Sequence, residues 1–486
     1  MEACMEKDME AKLKYDSDMP SAELDKITLT SSERTKGLIQ LIIFSLIGII
    51  VFFCSIPNNG KSEIVFSIIY NGFVNLFGDL IYWILTIIIG GNFCCHIYYK
   101  YIKKGQINNA FADVYKSDSF VHTILYALGF IYVLAYAMYV TLGANMPEII
   151  VGSSTGGNVI PPIVKGVLGI LLVGAVFMPF LLNYGILEII GVILEPIMRP
   201  LFKVPGKAAL DAVSSFVSSS SLGVLITNRL WKKCVYTEKE MCAIMTGFSA
   251  VSIGFAYLVI NTAGIGEHWV KVYAISFIMV FILETIMIRI PPLAKKKDVY
   301  FDGRIQVDED RKGELKYSSK TIPLGVSRAI KRGAIARGIV TDVSISLKDS
   351  VLVLPQVLTM LSAIGVSAMI LAEYTPFFTY IGYIFQPFLE LLQVPDAAAI
   401  APSMFVGIAE MFLPVLVMNG QNVAICLQAR VFVCLVSMVQ IIFFSETATV
   451  MLATKSPIKF WEIVVCFLER TIIAIPLASI AIHLFF

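Results

Sequence analysis

The chain has 486 residues, of which 57% are hydrophobic and 15% charged, with a formal net charge of only +2. A soluble domain carries roughly 25% charged residues. The charge here is too sparse to cover so much apolar mass in water, and the mean hydropathy of +0.78 agrees. A soluble enzyme, a disordered regulator and a nucleic-acid binder are disfavoured, which leaves a polytopic membrane protein.

Residues 1–36 are polar, with nine acidic and six basic side chains, and read as a cytoplasmic tail. The first apolar block follows too late for a secretory signal and reads as a retained span. A bilayer core needs about 20 apolar residues of helix. Blocks of that kind run over Leu38–Ile56, Phe66–Ile89, Phe120–Leu142, Val159–Leu182, Met241–Thr262, Val270–Ile290, Val351–Ala372, Val423–Phe444 and Trp461–Phe485. The one large polar loop, 291–349, holds 13 basic and eight acidic residues, and that excess places it on the cytoplasmic side.

An internal repeat underlies the second half of the chain. Ile190–Pro196 (IGVILEP) matches Ile381–Pro387 (IGYIFQP) at an offset of 191. Val204-Pro205 matches Val394-Pro395 at 190, and Phe216-Val217 matches Phe405-Val406 at 189. Asn183-Tyr184 aligns with Glu373-Tyr374, and Trp269 with Trp461. The chain therefore divides into a tail (1–36), an N-terminal membrane region (37–150), a first repeat (151–290), a cytoplasmic loop (291–349) and a second repeat (350–486). In each repeat a span leads to a short apolar helix expected to be broken by Pro, then Val-Pro, then an apolar stretch interrupted by polar residues, then two more spans.

In the first repeat the interrupted stretch, Ala208–Leu230, is flanked by Arg199, Lys203 and Lys207 on one side and by Arg229, Lys232 and Lys233 on the other. Two positive flanks imply that both ends lie inside, as in a re-entrant hairpin. The second is flanked by Glu390 and Asp396, contains Glu410, and meets no cluster of positive charge before Arg430, so it should enter from outside. The expected fold is all-α and polytopic. It has two inverted repeats with re-entrant helical hairpins and about 9–11 transmembrane helices. The segment Leu187–Phe202 decides this reading. If it spans fully, the orientation changes, but Pro196, Pro200 and the Glu195/Arg199 pair at i, i+4 favour a short interfacial helix.

Candidate chemistry gathers at the interruptions. Ser218, Ser219, Ser220 and Ser221 offer hydroxyls and backbone ends to a polar solute or a cation. The competing reading is close helix packing by small residues. Asn228, aligned with Asn419, carries an amide that both donates and accepts. Glu410 lies where the second hairpin should turn and could bind substrate or a coupling cation. Glu446 is a second candidate carboxylate, against a bland helix-end position. Thr246 opens a small-residue face that packs on the hairpin or joins the ion-coupling set, and Asp211 reads as a cap on the hairpin's first arm. Scattered Cys and His residues suggest neither a disulfide framework nor a metal site. Gly60-Lys61-Ser62 imitates the end of a phosphate loop, but Ser55 stands where that motif needs glycine, so Pro57–Gly60 reads as a turn.

The run Leu194–Gly206 (LEPIMRPLFKVPG), the Ser-rich stretch after it and Leu225–Arg229 (LITNR) resemble the YjiH-type membrane proteins with nucleoside-recognition, or Gate, domains. The resemblance covers most of residues 35–486 and is most specific over 185–290. The wider group is similar to parts of concentrative nucleoside transporters, the ferrous-iron transporter B permease and spore maturation membrane proteins. It implies a bacterial cytoplasmic (inner) membrane protein with two Gate repeats and a cytoplasmic N-terminus. The implied function is secondary transport, coupled to Na+ or H+ with no other cofactor, of a small polar metabolite such as a nucleoside-like solute or a small organic anion. The expected partners are that solute and the lipid bilayer, with a membrane-protein partner or a homo-oligomer as a further option and no nucleic acid. The alternative is a non-transporting membrane partner in spore-envelope or complex assembly; an intramembrane enzyme would need a converging nucleophile and base, which the sequence does not offer.

Overall fold

The computed structural model describes residues 24–58, 61–103, 115, 118, 120–217, 220–248, 251, 253–311, 317–420 and 423–486. These are almost entirely helical. The one strand pair among them joins Ser55–Asn58 antiparallel to Lys61–Ile64, with Asn58 opposite Lys61, where the sequence predicts a turn.

Seven helical stretches among the described residues are long and apolar enough to cross a membrane: Ser31–Phe52, Leu80–Ile102, Phe120–Leu142, Glu148–Leu182, Gly266–Met287, Ile339–Tyr374 and Phe460–Phe485. Their outer faces carry exposed apolar side chains, among them Ile42, Leu46, Phe120, Ile278 and Ile480. Such a surface suits lipid and not water. The protein is a multi-pass, all-α membrane protein.

Several predicted blocks change shape for local reasons. The first helix, Ser31–Phe53, starts before the apolar run because Thr30 and Glu33 form a reciprocal capping box. The block Phe66–Ile89 is two helices, Val65–Asn75 and Leu80–Ile97, separated by a turn in which Gly78 takes a φ of +50°. That left-handed conformation ends a helix and suits glycine. Leu187–Phe202 falls within one continuous helix, Ile186–Phe202, that contains both Pro196 and Pro200 without a break. Its 17 residues rise only about 25 Å, short of a bilayer core. The predicted Glu195–Arg199 pair forms at 2.9 Å.

The polar loop 291–349 is partly structured. Its helix Thr321–Ile335 packs on Ile186–Phe202 and on Ser31–Phe53. Arg332 meets Glu188 at 2.9 Å, and Lys207 holds the other oxygen of that carboxylate at 2.9 Å. Burial pushes the Lys207 ammonium below its ordinary value despite the opposing pull of Glu188. Gly185, with φ +108°, allows the close approach, since a Cβ there would sit 2.4 Å from the Ala329 carbonyl oxygen. The following helix begins at Ile339, earlier than the apolar block from Val351 suggests.

The element order repeats. Lys165–Leu182 corresponds to Ile339–Tyr374, and Ile186–Phe202 to the helical run Phe377–Leu391. A hairpin follows in each unit, then a helix broken in its middle, then a long span: Trp269–Met287 in the first and Phe460–Phe485 in the second. The broken helices are Glu238–Gly247 with Ile253–Thr262, and Leu427–Gln440 with Thr447–Ala453. The first corresponds to the block Met241–Thr262, which the sequence presents as unbroken, and the first half of the second to Val423–Phe444, inside which its helix already stops. In the second, Ile441 takes a φ of +39° and ends the helix.

Candidate functional site at the hairpins and broken helices

The first hairpin has two helical arms, Ala208–Val217 and Ser220–Lys232, packed together. Asp211 ties them: the Thr227 hydroxyl donates to its Oδ2 at 3.1 Å. The cap expected of Asp211 is therefore corrected: it is the fourth residue of the helix, within its first turn, and its almost fully buried carboxylate bonds the second arm. Gly223 lets the arms close; a Cβ there would lie 1.9 Å from Ser215 Oγ. Ser218 and Ser219 lie outside the described residues, and Ser220 and Ser221 open the second arm.

The second hairpin is less regular. Short helices Ala397–Ile400 and Ser403–Val406 lead to a tip at 407–412, and Leu413–Asn419 returns. The tip pairs with the break in the second broken helix: Phe444 N–H donates to the Ile408 carbonyl at 2.7 Å, and Ser445 N–H to the Ala409 carbonyl at 2.9 Å. Ser437 holds the Met411 carbonyl at 2.5 Å and Gln440 the Met404 carbonyl at 2.7 Å. At Gly407 a Cβ would fall 1.9 Å from Gln440 Oε1, so any larger residue must push that amide aside.

Glu410 sits in this tip. It is buried, and its Oε2 accepts the Phe412 N–H at 2.6 Å. The structure makes Glu446, at the start of Thr447–Ala453, an electrostatic neighbour of Glu410. The Ser445 N–H bond to the Ala409 carbonyl puts the Glu410 and Glu446 backbones in adjacent positions at the helix break. The sequence offers these residues separately, and the fold joins them. Thr246 differs: its hydroxyl is spent on the Cys242 carbonyl of its own helix at 2.8 Å. Asn228 lies well along the first hairpin's second arm, away from its tip, and Asn419 donates to the Thr262 carbonyl at 2.8 Å.

A pair not singled out from the sequence links both breaks. Arg470, wholly buried in Phe460–Phe485, donates to the Val439 carbonyl near the second break. It also donates to the Thr246 carbonyl at 3.2 Å and the Gly247 carbonyl at 3.5 Å, at the first break. Its counter-charge is Glu284 of Trp269–Met287, at 3.9 Å and equally buried. The Glu284 oxygens accept no hydrogen bond among the described residues. A Cβ on Gly247 would sit 1.7 Å from Glu284 Oε2, so that glycine makes room for the carboxylate. One guanidinium thus satisfies carbonyls released where both helices stop, which apolar surroundings require. The signal was available: each residue is an ionisable group inside an apolar block.

A multi-pass helical protein with paired hairpins and broken helices is the class these features define. Residues 164–266, within the first unit, match the Gate (nucleoside recognition) domain. An uncharacterized protein of Alkalihalophilus pseudofirmus is 35% identical over 341 residues, covering 70% of this chain and 72% of that protein, and the chain belongs to its family. The sporulation integral membrane protein YlbJ of Bacillus subtilis is 34% identical over 84 residues, 15% of this chain and 21% of YlbJ. Among solved structures, an outward-facing CNTnw variant is similar with a TM-score of 0.38 and 11% identity, over 92% of this chain and all of that chain.

Proposed function

We propose that the protein is a secondary transporter of a small polar metabolite, coupled to Na+ or H+ and working by alternating access. The observation that carries this reading is the junction of the second hairpin with the broken helix, which sets Glu410 beside Glu446 within a repeated architecture. Discontinuous helices near the midplane of repeated units are a recurrent design for solute and ion sites. In the sequence the serine run 218–221 falls between the two arms of the first hairpin, and the Gate match over this region supports the reading. Solute binds between the tips, and Glu410 and Glu446 take the coupling ion.

The protein resides in the cytoplasmic membrane of a bacterium with its N-terminus inside, by the basic residues of loop 291–349. The hairpins enter from opposite faces. Single cysteines at Lys203 and Glu390, both exposed, test this in a variant with all nine native cysteines replaced. Labelling from opposite sides supports the inversion; labelling of both from one side overturns it.

A thermal-shift screen of the purified protein identifies the solute. A ligand at a hundredfold excess over its Kd stabilises the folded state by about 2.7 kcal/mol. A sodium-dependent shift followed by uptake in proteoliposomes supports transport. The similarity to a sporulation integral membrane protein favours one second reading, a non-transporting partner in a membrane complex. Its mark is a stable heteromer with no solute flux.

A further inference from the structure

A cavity of about 330 Å³ lies beneath the first hairpin, between its second arm, the Lys165–Leu182 helix and the start of Ile339–Met360. That volume is near the lower end for small-molecule sites. Four cationic side chains line it: Arg229, Lys232, Lys233 and Arg337. Two carboxylates oppose them, Asp342 and Asp349. Asp342 has Lys233 and Arg337 as electrostatic neighbours and is part of the wall. Asp349 is exposed at the edge and faces Arg229 and Lys232.

Two groups remain poised toward a ligand. The Arg229 guanidinium bonds only neutral groups among the described residues: Ser346 Oγ at 2.8 Å, the Ser346 carbonyl at 3.3 Å, Ser350 Oγ at 3.2 Å and Met178 Sδ at 3.5 Å. These bonds hold the fork rigid while leaving its charge without a direct ion pair. Beside it, Asn228 is only 5% exposed, and its Oδ1 has no hydrogen-bond partner among the described residues. A buried amide oxygen without a partner is costly and invites a donor.

We propose that this cavity binds a compact organic anion that carries a hydroxyl or amino group, such as a hydroxycarboxylate. The cationic rim attracts the carboxylate, Arg229 faces it, and Asn228 Oδ1 accepts from the hydroxyl or amino group. The site stands on the cytoplasmic route to the hairpin tips. It rests on the transport reading above and narrows its substrate class: four cations against two carboxylates favour an anion over a neutral nucleoside.

Isothermal titration of the full-length protein in detergent with malate, succinate and uridine tests this. Malate should bind, with an affinity that falls as salt rises. Succinate, which lacks the hydroxyl, should bind about tenfold more weakly, the scale of one lost hydrogen bond to a buried partner. Lys232→Ala alters an exposed head group and should weaken malate severalfold while leaving the fold, read by circular dichroism, intact. Asn228→Asp places a negative charge where the hydroxyl should dock and should abolish malate binding. Absence of malate binding overturns the site, as does binding that neither substitution changes. Uridine flux in proteoliposomes without malate binding overturns the anion assignment and leaves transport standing. Malate binding without flux of any solute keeps the site and overturns transport.

Discussion

The two repeated units solve the same problem differently. The first hairpin is closed by its own side chains: long helical arms meet through Thr227 and Asp211, over a glycine that admits Ser215. The second is held from outside. Its short helical turns bond little to each other, and the broken helix behind them grips the tip through backbone pairing at 408–409 and through Ser437 and Gln440. A self-closed hairpin can move as a body, whereas one stitched to a broken helix moves with it. In the second unit the tip that carries Glu410 and the broken helix that leads to Glu446 are therefore held as one piece.

The shared clamp gives the largest expected effect. Arg470→Met removes the buried partner of Glu284 and the donor to three carbonyls, and breaking a buried pair costs about 3–5 kcal/mol. Thermal unfolding in detergent should show a severe loss. The double variant Arg470→Met/Glu284→Met should recover much of it; no recovery would mean that the carbonyl bonds of Arg470 matter more than its charge. Next, Gly407→Ala should cost about 1–3 kcal/mol by forcing Gln440 aside. The corresponding change in the first hairpin, Gly223→Ala, meets a small hydroxyl and should cost less. Equal losses would erase the distinction between the two closures.

Thr227→Val removes the cross-arm bond and leaves Asp211 Oδ2 without that donor, at about 1–3 kcal/mol. Cysteine cross-linking between the arms should report their separation. Glu410→Gln should change stability least, because an amide oxygen can still accept the Phe412 N–H, yet it should remove ion dependence from solute binding.

Much of the architecture is legible in the sequence. Apolar blocks place the spans, the offset near 190 exposes the repeated order, and the spacing of Glu195 and Arg199 predicts their bond. The limits have physical causes. Val423–Phe444 reads as one mostly apolar block, and nothing in its composition marks Ile441 as the residue that turns left-handed. Pro196 and Pro200 suggest a break, but the helix tolerates the two missing N–H donors. The neighbourhood of Glu410 and Glu446, and the pairing of Arg470 with Glu284, depend on tertiary packing between separate elements, which local pattern does not encode. The binding assignments made from sequence diverge accordingly: Asn228 faces the lower cavity and Thr246 is turned into its own helix.

The central claim is that the Glu410–Glu446 seam couples an ion gradient to solute movement. The most direct measurement is uptake by proteoliposomes of wild-type and Glu410→Gln protein, with and without an inward Na+ or H+ gradient, using the solute found by the binding screen. The account predicts gradient-driven accumulation by the wild type, and in the variant only equilibration or no uptake despite normal folding. Equal gradient-driven accumulation by both proteins would contradict it.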